Sequence, residues 1–258
     1  MSIQNELLKL YNYLIIKYKF LFLIAKLSFF ILFNCYFCTQ ITKTTMKLRH
    51  SVLLILLILV VDQFSKVFVK TNFYYQEEVR IFDWFRLVFI ENEGMAWGTV
   101  IPGEYGKLFL TVFRILVVPF IGYWLWDSTI REKSNFLITA IALIFAGAVG
   151  NIIDSVLYGV MFDDSTRTHL ATFFPEDHYS TWLHGRVVDM FYFPIIEDYL
   201  VPNWVPFMGG KTVTFFNAIF NVADVAISTG VGILIVFNKR AFTLPPHSIS
   251  RVFHNKLD

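Results

Sequence analysis

The stretch FNVADVAI, residues 220–227, lies inside the last strongly apolar run of the chain, residues 213–237. That run is long enough to cross a bilayer, yet it carries polar side chains at Asn217, Asn221, Asp224 and Ser228. An aspartate at the centre of a spanning helix costs roughly +2.5 to +3.5 kcal/mol on insertion scales. The four positions share one face of a helix because of their i, i+4, i+7, i+11 spacing. This stripe must face protein or water, since lipid offers it no partners.

The composition is that of an integral membrane protein. Of 258 residues, 56% are hydrophobic and only 16% are charged, against roughly 25% charged in soluble domains. The net charge of +2 is too small to favour a nucleic-acid partner. Cys35 and Cys38 give neither a disulfide framework nor a metal spacing with histidines, so we expect no metal and no cofactor.

Four apolar segments reach the length of about 20 residues that a spanning helix needs. They are residues 51–69, 108–126, 136–158 and 213–237. Basic residues lie in short segments on one side of these spans, which marks that side as cytoplasmic. They are Lys47, Arg49, Arg131, Lys133, Lys239 and Arg240. The other side holds the segments 70–106 and 159–211, the second of which is rich in acids.

The sequence therefore predicts an all-α membrane protein, a four-transmembrane-helix bundle with a small extracytoplasmic β-rich segment and an extracytoplasmic insertion. The partial alternation in residues 73–89 predicts short strands at the membrane surface, with aromatic side chains as interface anchors. Residues 46–240 form one membrane domain and residues 241–258 a cytoplasmic tail. Residues 1–45 are either the product of an upstream start assignment, with Met46 as the natural start, or an extra helix.

Polar side chains recur in two other predicted spans. In GNIIDS, residues 150–155, Asn151 and Asp154 share a helix face with Gly147, which lets a neighbouring helix approach closely. In DQFSK, residues 62–66, Asp62 and Lys66 lie one turn apart, and that spacing permits a local ion pair. Structural roles explain these residues as well, as a helix-end pair or as links between helices.

The outer segments carry two further polar motifs. ENEGMAWG, residues 91–98, has the glycine-rich character of a tight turn in which Asn92 has an ordinary place. HGRVVDMFYFP, residues 184–194, places Asp189 before an aromatic stretch, where a surface acid is the plain alternative. Asp224 is the strongest functional candidate, because an ionisable residue at membrane depth is functional by default.

Carboxylates are the groups that remain for chemistry, since no serine or cysteine is placed with a histidine as a nucleophile-base pair. Two carboxylates held close together cannot both ionise easily, so one pKa rises. The ionised member can then take a proton from water while the protonated member polarises a carbonyl group, as in aspartic proteases. The spacing alone leaves open which two acids form the pair.

The motifs together resemble the lipoprotein signal peptidase family, also called signal peptidase II. Five pieces occur in the family's order: DQFSK (62–66), NEGMAWG (92–98), GNIIDS (150–155), VVDM (187–190) and FNVAD (220–224). Each piece alone is weak, but five in order at plausible membrane depth are specific. They extend over most of the chain after Met46.

The resemblance implies an inner-membrane aspartic endopeptidase with its active site toward the outer face. Its substrate would be a diacylglyceryl-modified prolipoprotein in the lipid bilayer, cut just before the lipidated cysteine, and a globomycin-type cyclic peptide would inhibit it. The implied catalytic pair is Asp189 and Asp224. The candidate substrate-binding or supporting residues are Asp62, Lys66, Asn92, Gly94, Asn151, Asp154, Arg186, Asn217 and Asn221.

Two features depart from the family's pattern. The GNxxD piece is usually followed by an arginine that would contact the substrate backbone, and here Ser155 follows. We hypothesise that Arg186, three residues before Asp189, replaces it. The segment between Asp154 and Asp189 is also longer than is usual, and residues 159–185 are interpreted as an insertion that covers the site or contacts lipid.

Two other functions stay open on the residues alone. The same buried carboxylates suit a proton- or cation-coupled transporter, and a polar stripe also suits a scaffold in which it only joins helices. Transporters often show internal repeats or broken helices. The sequence shows neither, which favours the peptidase.

Overall fold

The protein is described from a computed structural model, which covers residues 46–93, 106–194, 196–204, 206–215 and 217–243. The predictions for residues 1–45, for the site residue Gly94 and for the tail after residue 243 lie outside the described residues.

Apolar helices make up the membrane part. They are α1 (Leu48–Asn72), α2 (Gly106–Ile130), α3 (Asn135–Met161) and α4 (Val222–Val236), followed by a short α5 (Asn238–Ala241). The first three, with 25, 25 and 27 residues, are long and apolar enough to cross a membrane. Three of the four predicted spans are therefore found as long apolar helices.

The fourth predicted span, residues 213–237, is wrong in its first part. The helix begins only at Val222, because Asn221 accepts a hydrogen bond from the backbone N–H of Asp224 at 3.0 Å and Asp224 accepts one from the backbone N–H of Asn221 at 3.3 Å. This reciprocal capping box fixes the helix start. With 15 residues, α4 is about 22 Å long, shorter than a hydrocarbon core of roughly 30 Å.

The described residues also contain strands, so the all-α class holds only in part. The strands are β1 (Glu78–Phe82), β2 (Phe85–Asn92), β3 (Val187–Tyr192), β4 (Ile196–Leu200), β5 (Thr212–Phe215) and β6 (Ile219–Phe220). One antiparallel sheet has the order β1-β2-β3-β6, and β4 pairs with β5 in a hairpin. The predicted short strands within residues 73–89 are confirmed by β1 and β2. Their aromatic residues differ in exposure, since Phe82 and Trp84 are exposed whereas Phe85 is buried.

Close helix packing centres on α3 and α4. A Cβ atom added to Gly147 would lie 2.2 Å from the carbonyl oxygen of Ala223, and one added to Gly230 would lie 2.6 Å from that of Ala140. Only glycine allows the two backbones to come this near.

Residue Asp154 opens a π-helical turn, Asp154–Tyr158, near the end of α3, a feature common at functional sites.

The ends of three helices meet at one end of the bundle. The backbone N–H of Met46 donates to Asn135 Oδ1 at 2.6 Å, and the rings of Phe136 and Phe237 lie 5.2 Å apart. The guanidinium of Arg240 lies 5.9 Å from the centre of the Phe136 ring. The basic residues that flank α1, α3 and α4 therefore belong to the same end of the molecule.

Candidate active site

The two candidate catalytic acids come from different elements that meet at the start of α4. Asp189 lies on β3 and Asp224 in the first turn of α4. Asn221 contacts both: its side-chain amide donates to Asp189 Oδ1 at 2.7 Å, and its side-chain oxygen accepts from the backbone N–H of Asp224 at 3.0 Å. One capping residue thus sets the positions of both carboxylates.

Two further asparagines contact the pair. The side-chain amide of Asn151, on α3, donates to Asp224 Oδ1 at 2.9 Å, and that of Asn92, at the end of β2, donates to Asp189 Oδ2 at 3.1 Å. Asn151 Oδ1 in turn accepts from Asn221 Nδ2 at 3.3 Å. Each carboxylate is therefore oriented by neutral amides from separate parts of the chain.

The environment of Asp189 favours its protonated form. Its side chain is buried, with 3% of the residue exposed. This burial, with the nearby charge of Asp224, raises the pKa of Asp189 to about 7, although the charge of Lys66 and the amides of Asn92 and Asn221 act in the opposite direction. Near neutral pH this site can therefore hold one protonated and one ionised carboxyl group.

A fully buried ion cluster lies beneath the pair. Lys66 Nζ lies 2.9 Å from Asp62 Oδ2, 2.8 Å from Asp154 Oδ2 and 2.9 Å from Asn151 Oδ1. The i, i+4 pair that the sequence permits is present, but Lys66 has additional partners on α3. A buried charge needs such partners, because the interior cannot replace its hydration.

The buried acids also hold the backbone that carries the site. Asp62 Oδ1 accepts from the backbone N–H of Ala223 at 2.8 Å, in the first turn of α4. Asp154 Oδ2 lies 3.4 Å from the backbone N–H of Val188, the residue before Asp189. The cluster therefore links α1 and α3 to both elements that present the carboxylates.

Two further predicted site residues are Asn217 and Arg186. Asn217 precedes α4 and is exposed, because the helix begins after it; the predicted stripe on one helix is wrong at this position. The guanidinium of Arg186 has acidic partners of its own, at 3.0 Å from Glu91 Oε2 and 2.8 Å from Asp164 Oδ1. It also lies 5.0 Å from the centre of the Tyr179 ring.

These contacts dock the insertion, residues 159–185, against β2 and α1. Lys70 is fully buried and pairs with Glu91, while its Nζ donates to Ser165 Oγ at 2.9 Å. Lys70 Nζ also lies 4.8 Å from the centre of the Tyr179 ring. Since Glu91 immediately precedes Asn92, this cluster supports the strand end that contacts Asp189.

Sequence reasoning missed a polar face on α2. Lys107, Thr111 and Arg114 have i, i+4, i+7 spacing, the same signal that identified the other stripes. The charges of Asp224, Asp154 and Asp189 act on Arg114, so this residue lies in the neighbourhood of the site. Gln63 was also missed; its side-chain amide donates to Asp154 Oδ1 at 2.9 Å.

Known proteins resemble this chain over most of its length. The family model described as signal peptidase (SPase) II matches residues 52–239. The lipoprotein signal peptidase of Porphyromonas gingivalis is 44% identical over 194 residues, which are 74% of this chain and 83% of the relative. That of Amoebophilus asiaticus is 35% identical over 195 residues, 74% of this chain and 78% of the relative.

A solved structure of a bacterial membrane enzyme aligns with a TM-score of 0.49 at 23% identity, covering 74% of this chain and 89% of its own. The family model covers the motifs from DQFSK to FNVAD. The chain belongs to the signal peptidase II family, a family of aspartic peptidases.

Proposed function

We propose that the protein removes signal peptides from diacylglyceryl-modified prolipoproteins by cutting before the lipidated cysteine, with Asp189 and Asp224 as its catalytic pair. The observation that carries this proposal is the linkage of the two carboxylates through Asn221, with burial and then the charge of Asp224 raising the pKa of Asp189. The family membership supports the reaction class.

The chemistry proceeds by acid-base catalysis on a water molecule. Ionised Asp224 takes a proton from the water, whose oxygen attacks the scissile carbonyl carbon, while protonated Asp189 donates to the carbonyl oxygen. As the tetrahedral intermediate collapses, one of its hydroxyl groups returns a proton to Asp189 and the carbonyl re-forms. The C–N bond breaks, and the nitrogen of the cysteine takes the proton held by Asp224, which restores the starting pair. Positioned acid-base groups of this kind each contribute roughly 10²–10⁴-fold in rate.

The depth of the site suits this substrate. The carboxylates lie at the start of α4, which is about 22 Å long against a hydrocarbon core of roughly 30 Å, and this difference fits a site below the membrane surface. The cysteine of a diacylglyceryl prolipoprotein is held near that depth by its acyl chains. The positive-inside rule favours a cytoplasmic position for the basic end of the bundle, and we infer that the site lies toward the outer face of the inner membrane.

Arg114 is proposed to bind the substrate backbone beside the carboxylates. A guanidinium presents several donors in a fixed plane and stays charged, which suits peptide carbonyl oxygens. The family's usual arginine, which would contact the substrate backbone, is replaced here by Ser155. The acidic partners Glu91 and Asp164 hold the Arg186 guanidinium, so Arg114 is the better candidate for that contact. A globomycin-type cyclic peptide is expected to compete for the same site.

The test is cleavage of a diacylglyceryl prolipoprotein by the full chain in detergent or liposomes. Asp189→Asn and Asp224→Asn should each lower kcat by about 10²-fold or more, since each removes one acid-base group. Asp177→Asn, at an exposed acid of the insertion, is the matched control and should cleave normally. Retained cleavage by either site variant, or proton flux without cleavage by the parent, would refute the proposal.

A further inference from the structure

The β4–β5 hairpin carries exposed apolar side chains at its outer end. The chain leaves the four-stranded sheet after β3, forms this hairpin and rejoins the sheet at β6. Within the hairpin, Tyr199 pairs with Val213. We call residues 199–204 and 206–208 the apolar tip. Its exposed large apolar side chains are Tyr199, Leu200, Trp204, Phe207 and Met208, with Trp204 82% and Phe207 96% exposed.

The apolar tip is ordered by its own backbone. The N–H of Gly210 donates to the carbonyl oxygen of Val201 at 2.9 Å, and the N–H of Val201 donates to that of Lys211 at 2.9 Å. Phe207 has a φ of +64°, a conformation that bulky residues rarely adopt. If this position faced water, asparagine or glycine would adopt the same backbone conformation at lower cost and would expose no aromatic ring. The presence of phenylalanine therefore favours an apolar surrounding for this side chain.

The hairpin lies beside the start of α4, at the end of that helix away from Lys239 and Arg240. The chain leaves its return strand β6 and enters α4 at once, and α4 is too short to cross the hydrocarbon core fully. An aromatic row flanks both ends of the hairpin, since the ring of Phe193 lies 5.6 Å from that of Phe220 and 6.0 Å from that of Trp84. Aromatic rings of this kind are enriched at the boundary between headgroups and acyl chains.

We propose that the apolar tip inserts into this boundary of the same membrane and holds the strands of the site at that depth. Lipid is the occupant that the chemistry fits. Residues 199–211 carry a single charge, Lys211, which is exposed beside the tip and can meet a lipid phosphate. Trp204 and Tyr199 supply rings with an apolar body and one polar group, which suit an interface that is dry on one side.

The experiment measures the membrane depth of the tip by spin labelling, independently of catalysis. Phe207→Cys is introduced into the full chain with Cys35→Ser and Cys38→Ser, labelled with a nitroxide and reconstituted in phospholipid liposomes. Its collision rates with oxygen and with a water-soluble nickel complex are compared with those of two references. Val60→Cys, exposed on α1, gives the lipid reference, and Glu176→Cys, exposed on the insertion, gives the aqueous reference.

The ratio of the oxygen collision rate to the nickel collision rate is expected to be several-fold higher for the label at Phe207→Cys than for the label at Glu176→Cys. It should approach the ratio measured at Val60→Cys. Trp204→Cys should behave alike and serves where the first variant does not fold. A ratio at Phe207→Cys equal to the ratio at Glu176→Cys would overturn the proposal. Oxygen preference that appears only after a prolipoprotein peptide is added would overturn it too, because the occupant would then be substrate.

Discussion

Asn221 Nδ2 lies 2.7 Å from Asp189 Oδ1, while the same side chain caps the helix that carries Asp224. A residue that starts α4 therefore also orients a carboxylate on β3. This dual contact couples the start of the helix to the geometry of the proposed catalytic pair.

The two roles of Asn221 can be separated by substitution. Asn221→Ser keeps a good helix cap but loses the amide that donates to Asp189, whereas Asn221→Ala loses both and gives up about 1 kcal/mol of cap stability. We expect both variants to lose kcat by similar factors, while the alanine variant unfolds more readily than the serine variant. Cleavage assays and denaturant titrations in detergent measure the two effects. Normal kcat in the serine variant would contradict the orienting role.

The pH dependence of cleavage should reflect Asp189. Its pKa is raised to about 7 by burial and by the charge of Asp224, and the proposed mechanism needs it protonated, so the rate should fall as pH rises through this value. A mechanism that needs one protonated and one ionised carboxyl group also loses rate at acid pH. The profile of kcat/KM against pH should therefore be a bell.

Removal of the Asn92 amide should shift that profile. The hydrogen bond from Asn92 stabilises ionised Asp189 and so lowers its pKa; Asn92→Ala should raise that pKa and move the alkaline limb to higher pH. The acid limb should move less, since Asn92 donates to Asp189. A shift of the alkaline limb to lower pH would contradict this assignment.

The Lys66 cluster should dominate the stability of the bundle. Lys66→Met leaves Asp62 and Asp154 buried without their cation, and breaking such a pair costs roughly 3–5 kcal/mol. The triple variant Lys66→Met, Asp62→Asn, Asp154→Asn removes the uncompensated charges and should recover part of the loss. Denaturant unfolding in one detergent compares the three proteins. A single variant as stable as the parent would contradict the prediction.

Arg114 and Arg186 should differ in their effect on cleavage. Arg114→Gln should lower kcat/KM by about ten- to hundredfold, the equivalent of one hydrogen bond to a charged group at roughly 1.5–3 kcal/mol. Arg186→Gln should cleave within a few-fold of the parent but expose the insertion to limited proteolysis, because the contacts with Glu91 and Asp164 are lost. The reverse pattern would restore Arg186 as the substrate-binding arginine.

Local sequence determined the long apolar helices and several short-range contacts. The pair Asp62–Lys66 follows from one helical turn, and the short strands follow from the alternation before Asn92. The capping box of Asn221 and Asp224 is equally local, with Asn at the cap and an acid three residues later. Reading that signal would have started α4 at Val222 and kept Asn217 out of the helix.

Tertiary structure alone decided which polar faces meet. The contacts Asn151–Asp224 and Asn92–Asp189 join residues 73 and 97 positions apart, and Arg114 on α2 lies within reach of the charges of the same carboxylates. Periodicity shows which side chains share a face of one helix, but the partner of that face depends on how close the backbones come. Here Gly147 and Gly230 bring α3 and α4 together, and the buried Lys66 cluster holds β3 and α4 over them, so burial and charge pairing between distant segments built the site.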